Sequence, residues 1–228
     1  MGTGEPPVGR SLGGGRADEL FALIEAAREE FDAAHAARER GLAACRRTIR
    51  ACGSAIRAVH RRLPDQAARL LEEACAALRE AQDAVRPYPA VAYAGFLHDA
   101  EKEYAEAVLT AALVERAPLA DHRAIGVELA AWCNGLAEAA SELRRHLLDR
   151  MRDGELDTAE ELLRAMEDVY DVLVTVDYPD ALTGGLRRAA DSLRAVLERS
   201  RSDLTTTVLQ TRLQRVIEGK RVPPSAIS

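Results

Sequence analysis

The sequence predicts an all-α protein, with about six to seven antiparallel helices in one bundle-like domain. Apolar residues recur every three or four positions along most of the chain, as they do on one face of an amphipathic helix. Only 4% of the 228 residues are aromatic, and the chain is rich in Ala, Leu, Arg and Glu, which favour helix over sheet. The one β-branched stretch, Val174 to Val176, is too short to indicate a sheet.

The first helix is predicted from Asp18, a suitable N-cap residue, to about Arg62. Residues 1–16 precede it and are too rich in Gly and Pro to hold a helix, so they are predicted to be a disordered tail. Gly53 is a candidate for a bend in this long helix. Its apolar stripe comprises Leu20, Leu23, Ile24, Ala27, Phe31 and Ala34.

Prolines and glycines delimit the remaining helices. Pro64 is suited to a first helical turn, and Pro118 ends the third helix. Thr158, followed by Glu161 three residues later, has the spacing of a capping box and predicts the start of the fifth helix. The predicted bounds are residues 64–85, 90–116, 121–152, 158–173 and 180–217.

The domain organisation follows from these bounds. A single helical domain is predicted over residues 17–218, between the N-terminal tail and a flexible C-terminal tail over residues 219–228. No internal repeat recurs at a fixed period, which argues against a solenoid.

Charge and composition exclude several classes of protein. The net charge of −6 argues against a nucleic-acid-binding protein, for which a positive field is typical. However, only two of the 31 basic residues are lysines, and guanidinium groups suit phosphate. GC-rich coding would give the same arginine bias. The four cysteines show no paired spacing, and no run is apolar enough for a signal peptide or a membrane span, so a cytoplasmic protein is predicted.

Four glutamates are candidates for a metal site. Glu103 and Glu106 are three residues apart on the third predicted helix, and Glu138 and Glu142 are four apart on the fourth, so each pair forms one patch. If the two helices pack antiparallel, four carboxylates surround one hole, which a hard cation such as Mg²⁺ or Mn²⁺ would stabilise. The alternative is that these glutamates lie on solvated helix faces. A di-iron site is excluded because no histidine follows a glutamate by three residues.

A row of arginines is a candidate for contact with a phosphate backbone. Arg46, Arg50, Arg57 and Arg61 have spacings of 4, 7 and 4, which align them along one face of the first helix, with His60 beside them. The alternative is an exposed face that forms ion pairs with the acidic second helix. The acidic residues of that helix are Asp65, Glu72 and Glu73.

Several runs of the sequence resemble the translin superfamily. They are KEYAEAV (102–108), GLAEAASELR (135–144) and DGELDT (153–158) leading to VYD (169–171). The resemblance is closest to the translin-associated factor X branch and to prokaryotic members that carry DYPDALTGGL, here residues 177–186. It covers roughly residues 30–215 in one order.

The resemblance implies about seven helices and a closed homo-oligomer, often an octamer, whose hollow interior holds single-stranded RNA. It also implies a Mg²⁺-dependent endoribonuclease with two acidic pairs, which match Glu103 with Glu106 and Glu138 with Glu142. The first member of the second pair is usually Asp, so Glu138 is one methylene longer. The nucleic-acid-binding residues are then predicted to be Arg50, Arg57, His60 and Arg61, because the family has a helix ending in His-Arg at this place.

The predicted function is therefore metal-assisted hydrolysis of single-stranded RNA, with carboxylates holding Mg²⁺ or Mn²⁺ and arginines positioning the strand. Two alternatives stay open. The first is a non-catalytic protein that binds single-stranded RNA or DNA and forms the same oligomer. The second is a helical scaffold that binds only protein.

Overall fold

The computed structural model describes residues 14–219, which form nine helices and no strand. The all-α prediction is confirmed, with nine helices rather than six to seven. Three of the nine are single turns of four residues. In chain order the helices are α1 (Gly14–His60), α2 (Pro64–Val85), α3 (Pro89–Ala92), α4 (Phe96–Glu115), α5 (His122–Ile125), α6 (Leu129–Arg152), α7 (Leu156–Leu173), α8 (Asp180–Thr183) and α9 (Leu186–Gly219).

Each of the three short helices comes from a longer predicted helix that a glycine interrupts. Gly95 separates α3 from α4 with φ of 96°, Gly126 follows α5 with φ of 73°, and Gly184 follows α8 with φ of 61°. Gly126 and Gly184 are left-handed C-caps that end α5 and α8, whereas Gly95 is the residue that immediately precedes α4. The apolar periodicity continues across these glycines, and for that reason the sequence predicted continuous helices.

The other bounds differ less from the prediction. α2 has the predicted limits, and α1 continues through Gly53 without interruption. α7 begins two residues before Thr158, and its N-cap residue Glu155 makes no side-chain cap. The predicted capping box is therefore wrong. Glu161 instead forms an ion pair with Arg116, next to the end of α4.

Both predicted tails fall largely outside the described residues. Residues 1–13 of the N-terminal tail and residues 220–228 of the C-terminal tail are not among the described residues. Where the structure overlaps the predicted tails, at residues 14–16 and at Gly219, the chain is already helical.

Helix α6 lies at the centre of the bundle and packs against α4, α7, α8 and α9, while α1 packs against α2 and α4. Lys102 of α4 contacts Glu138 of α6, and Ala105 lies against Gly135, so α4 and α6 run in opposite directions. The arrangement is not antiparallel throughout. Residue numbers rise together along α1 and α4, where Phe96 lies beside Gly41 and Glu103 beside Cys52. The core side chains with almost no exposure include Leu78, Leu109, Leu143, Leu147, Met166 and Leu193.

The first half of α1 does not contribute to this core. Its predicted apolar stripe is exposed, with Phe21 at 69% and Phe31 at 75%, and Ala37 is the first buried residue of the helix. The end of α9 has a second exposed apolar stripe. Its members are Leu209, Leu213, Val216 and Ile217.

Two smaller predictions concern the cysteines and the membrane. All four cysteines are free thiols, of which Cys45 and Cys52 are buried in the core and Cys75 and Cys133 are partly buried. Among the helices of residues 14–219, none combines the length and the hydropathy that a membrane crossing requires.

Candidate functional site

Three of the four predicted glutamates converge between α4 and α6. Glu103 and Glu106 of α4 and Glu138 of α6 each offer a carboxylate oxygen, and these oxygens lie within 4.8 Å of one another. We call these three residues the carboxylate cluster. A positive charge borders it, because Lys102 Nζ lies 2.8 Å from Glu138 Oε1 and 3.9 Å from Glu103 Oε1. No spacing or motif in the sequence identifies this lysine as part of the site.

Small residues bring the two helix backbones together at the carboxylate cluster. A Cβ atom at Gly135 of α6 would lie 2.7 Å from Ala105 Cβ, 2.8 Å from Lys102 O and 2.9 Å from Glu106 N. Real Cβ atoms do not come so close to backbone atoms. Only glycine therefore fits at residue 135, and its presence allows Glu106 and Glu138 to approach each other.

Ionisation of Glu103 and Glu106 in the carboxylate cluster is unfavourable. Burial raises the pKa of Glu106 to about 8, and repulsion by Glu138, Glu103 and Glu142 adds to this effect. Burial also raises the pKa of Glu103, although the nearby Lys102 partly offsets it. In α1, burial raises the pKa of Cys52 to about 12, and the charges of Glu103 and Glu106 add to this effect. The Cys52 thiol therefore stays protonated.

The fourth predicted glutamate, Glu142, has a different partner. His60 Nε2 of α1 lies 2.6 Å from Glu142 Oε2, and His60 Nδ1 lies 3.0 Å from His146 Nε2. The hydrogen bond from His60 lowers the pKa of Glu142, in contrast to the raised pKa values in the carboxylate cluster. Burial lowers the pKa of His146.

The position of His60 corrects its predicted role in nucleic-acid binding. Its side chain is only 2% exposed, and both ring nitrogens face protein groups. His60 is one residue from Arg61 in the sequence but points into the bundle rather than outward. It links the end of α1 to Glu142.

The predicted arginine row is exposed along α1. Arg46, Arg50, Arg57 and Arg61 form no ion pair within residues 14–219, and Arg57 donates to Ser54 Oγ. The alternative prediction, pairing with Asp65, Glu72 and Glu73, does not hold for the described part of the chain. The one arginine of this segment that pairs with α2 is Arg47, and its partner is Glu80.

A groove of about 580 Å³ runs between α1 and α2, away from the carboxylate cluster. Arg47 and Arg50 line one wall, and Glu73 and Glu80 line the other. Its walls therefore carry both signs of charge, and the groove by itself identifies no ligand.

The raised pKa of Glu106 predicts a stability that depends on pH. The folded protein keeps a proton on Glu106 up to about pH 8, whereas the unfolded chain loses it near the ordinary value of 4.5. Because the folded state binds more protons, stability falls as pH rises through this interval. Glu106→Gln removes the free-energy cost of ionising this buried carboxyl group. In EDTA it should raise the free energy of unfolding by about 1–2 kcal/mol at pH 8.5 and by little at pH 5.

Urea denaturation at both pH values checks this prediction. The matched control is Glu115→Gln, on the same helix but exposed and without an ion pair in the described residues. It should change stability little at either pH. An equal response of both variants would contradict the prediction.

Comparison with known proteins gives related structures. A solved complex of AfC3PO with duplex RNA has a TM-score of 0.75 and 30% identity to this chain, covering 82% of this chain and 97% of that one. AfC3PO alone has a TM-score of 0.74 at 29% identity with the same coverage. Apo-NeC3PO has a TM-score of 0.73 at 16% identity, over 81% and 96% of the two chains, and is similar in fold alone.

Curated sequences add one relative. The uncharacterized protein MJ0175 of Methanocaldococcus jannaschii is 32% identical over 88 residues, which is 39% of this chain and 39% of that protein. No protein-family model matches the chain.

Proposed function

Because the chain belongs to the translin superfamily, we propose that it binds RNA and cleaves it at the carboxylate cluster of α4 and α6. The observation that carries this proposal is the convergence of Glu103, Glu106 and Glu138, with oxygens within 4.8 Å of one another. Three carboxylates this close are unstable as bare anions: burial raises the pKa of Glu106 to about 8, and repulsion by the neighbouring carboxylates adds to the effect. A divalent cation would remove the conflict.

The donor set fits Mg²⁺ or Mn²⁺. All three donors are carboxylate oxygens, the ligands that hard cations prefer, and no soft ligand stands among them. Glu103, Glu106 and Glu138 would hold the ion, and Glu142 is near enough to influence Glu106 by its charge. When bound, such an ion supplies charge neutralisation at the phosphate and activation of water.

The residues around the cluster have separate tasks in this proposal. Glu106 must release its proton before it binds a cation, so cation affinity rises as pH approaches 8. Lys102 holds Glu138 in place and adds positive charge beside the phosphate to be cleaved. His60 orients Glu142 through their 2.6 Å hydrogen bond.

RNA binding is assigned to the exposed arginine row of α1. Guanidinium groups bind phosphate in a bidentate manner, and those of Arg50, Arg57 and Arg61 form no ion pair within residues 14–219. The solved AfC3PO complex contains duplex RNA. For this chain we propose single-stranded RNA, because the family resemblance implies it, with single-stranded DNA as a second ligand.

The two exposed apolar stripes support a homo-oligomer. Phe21, Phe31 and their neighbours on α1, and Leu213 and its neighbours on α9, leave apolar faces in contact with water in a single chain. We propose that contacts between copies cover them in a closed oligomer, with an octamer as the expected size. Light scattering with size-exclusion chromatography tests this, and a monomer would contradict it.

One observation favours a second candidate function, a binding protein without catalysis. The ion pair of Lys102 with Glu138 neutralises one member of the cluster without a cation. Purified protein incubated with labelled single-stranded and duplex RNA, with Mg²⁺ or with EDTA, separates the two candidates. Cleavage only with Mg²⁺ supports the enzyme, and binding without cleavage at any metal supports the second candidate.

The arginine row gives a quantitative prediction for RNA affinity. The double variant Arg57→Gln, Arg61→Gln should bind a single-stranded RNA about tenfold more weakly at 100 mM KCl. Its slope of log affinity against log salt should be smaller by about 1.4, from roughly 0.7 for each lost phosphate contact. Fluorescence anisotropy in EDTA measures both values.

The control for this prediction is Arg40→Gln, an exposed arginine of α1 outside the row. It should leave both the affinity and the slope almost unchanged. If the double variant and the control behave alike, the arginine row does not contact RNA.

A further inference from the structure

A second cleft adjoins the carboxylate cluster on the side of α9. It has a volume of about 360 Å³, within the range of small-ligand sites, and lies between α4, α6 and the Gly184-Gly185 turn that precedes α9. Three basic side chains line it: His98, Lys102 and Arg188. Glu138 lines it as well, so this cleft and the carboxylate cluster share one residue.

The glycine turn shapes one wall of this cleft. Gly184 and Gly185 have φ of 61° and 89°, which side chains other than glycine rarely adopt. A Cβ atom at Gly184 would lie 2.9 Å from His98 Nε2, and one at Gly185 would lie 2.9 Å from Arg188 Nη2. The two glycines therefore let the imidazole and the guanidinium group lie directly against the backbone.

A buried amide fixes the turn to α6. Asn134 is 4% exposed, and its Nδ2 donates to Thr183 O at 2.7 Å and to Ala130 O at 2.8 Å. The carbonyl of Thr183 immediately precedes the two glycines. The turn is thus held in place from the helix that carries Glu138.

The basic side chains differ in whether they already have a partner. Arg188 and His98 form no ion pair within the described residues 14–219, whereas the neighbouring Arg187 pairs with Asp177 at 3.4 Å. Lys102 is bound to Glu138 at 2.8 Å. Asp99 is a second carboxylate on the cleft wall. Arg188 therefore keeps its donors for a ligand at the edge of the carboxylate cluster.

We propose that this cleft binds a phosphate of the RNA strand next to the phosphate at the carboxylate cluster, with Arg188 as its main donor. The proposal rests on the proposed RNA-cleaving function and extends it, because it specifies where the strand leaves the cluster. Arg188 binds the phosphate in a bidentate manner, His98 adds a hydrogen bond, and Lys102 lies between the two sites. Within residues 177–186, which resemble the prokaryotic members, Gly184 and Gly185 would then help to position the strand.

Arg188→Gln and Arg187→Gln form a matched pair for the test, since each removes one exposed arginine from the start of α9. Their binding to a fluorescein-labelled single-stranded RNA is measured by anisotropy in EDTA between 50 and 300 mM KCl. Arg188→Gln should weaken binding about tenfold and reduce the salt slope by about 0.7, while Arg187→Gln changes neither. Gly185→Ala keeps the charge but displaces the guanidinium group, so it should weaken binding to a similar extent.

Thermal unfolding of each variant identifies a general loss of the fold. Equal binding by the two arginine variants would overturn the phosphate subsite while leaving the proposed function intact. Wild-type protein that neither binds nor cleaves RNA would overturn the proposed function instead. If the two arginine variants bind RNA equally, a titration of each protein with adenosine 5′-monophosphate shows what the cleft holds instead. Binding lost only in Arg188→Gln would then show a free-nucleotide site, and no binding would show that the cleft holds no phosphate.

Discussion

Glu106→Gln is expected to lower Mg²⁺-dependent cleavage of single-stranded RNA about a hundredfold or more, with RNA affinity within about twofold of the wild type. Glu106 is the centre of the carboxylate cluster, since Glu103, Glu138 and Glu142 all act on its pKa. Gln has nearly the same shape but carries no charge and is a weak ligand for a hard cation. The change is expected to prevent cation binding and to leave the exposed arginine row of α1 in place.

The control Glu115→Gln, on the same helix, should cleave RNA at the wild-type rate. A direct measurement of Mn²⁺ binding by calorimetry separates loss of the ion from a later effect, and Glu106→Gln should reduce this binding strongly. Cleavage by Glu106→Gln at the wild-type rate would contradict the enzyme proposal and would indicate a copurified nuclease. Because Glu106→Gln and Glu115→Gln are purified in the same way, a contaminating nuclease would cleave RNA equally in both preparations.

The carboxylate cluster was predictable from the sequence, whereas the position of Glu142 was not. Helical spacing alone puts Glu103 beside Glu106, and the short neighbours of Glu138 predict that α4 and α6 approach closely. The partner of Glu142 is His60, 82 residues earlier in the chain, and no local pattern reports a contact of this kind. For the same reason the sequence put His60 with the arginines, although its side chain points inward.

The fold was predictable where one local signal dominated. Pro64 starts α2, and its limits are those predicted. Gly126 and Gly184 end short helices and Gly95 immediately precedes α4, all with positive φ, whereas Gly53 remains inside α1. The sequence does not distinguish these glycines, since the surrounding packing determines which of them leave the helical conformation.

The net charge of the chain does not describe how charge is distributed on its surface. The net charge of −6 argued against RNA, yet the arginine row of α1 is exposed and without ion pairs in the described residues. Part of the negative charge lies in the carboxylate cluster, where a cation would neutralise it. The local arrangement of charge, rather than its sum, therefore governs the expected ligand.

Gly135→Ala should destabilise the protein by about 1–3 kcal/mol and reduce RNA cleavage about tenfold or more. The added methyl group would lie 2.8 Å from Lys102 O and 2.9 Å from Glu106 N. Because these are backbone atoms, they cannot rotate away, and α4 must move relative to α6. This movement would separate Glu106 from Glu138 and disrupt the carboxylate cluster, although no carboxylate has been changed.

Gly53→Ala is the matched control, because it makes the same substitution within α1. There the new Cβ atom would meet only Arg57 Nη1, at an ordinary contact distance of 3.5 Å. Alanine is a better helix former than glycine, so this variant should gain about 0.5–1 kcal/mol and retain cleavage. Urea denaturation and the cleavage assay are made on both variants. A Gly135→Ala protein as stable and as active as Gly53→Ala would show that the close approach of α4 and α6 is not required for the cluster.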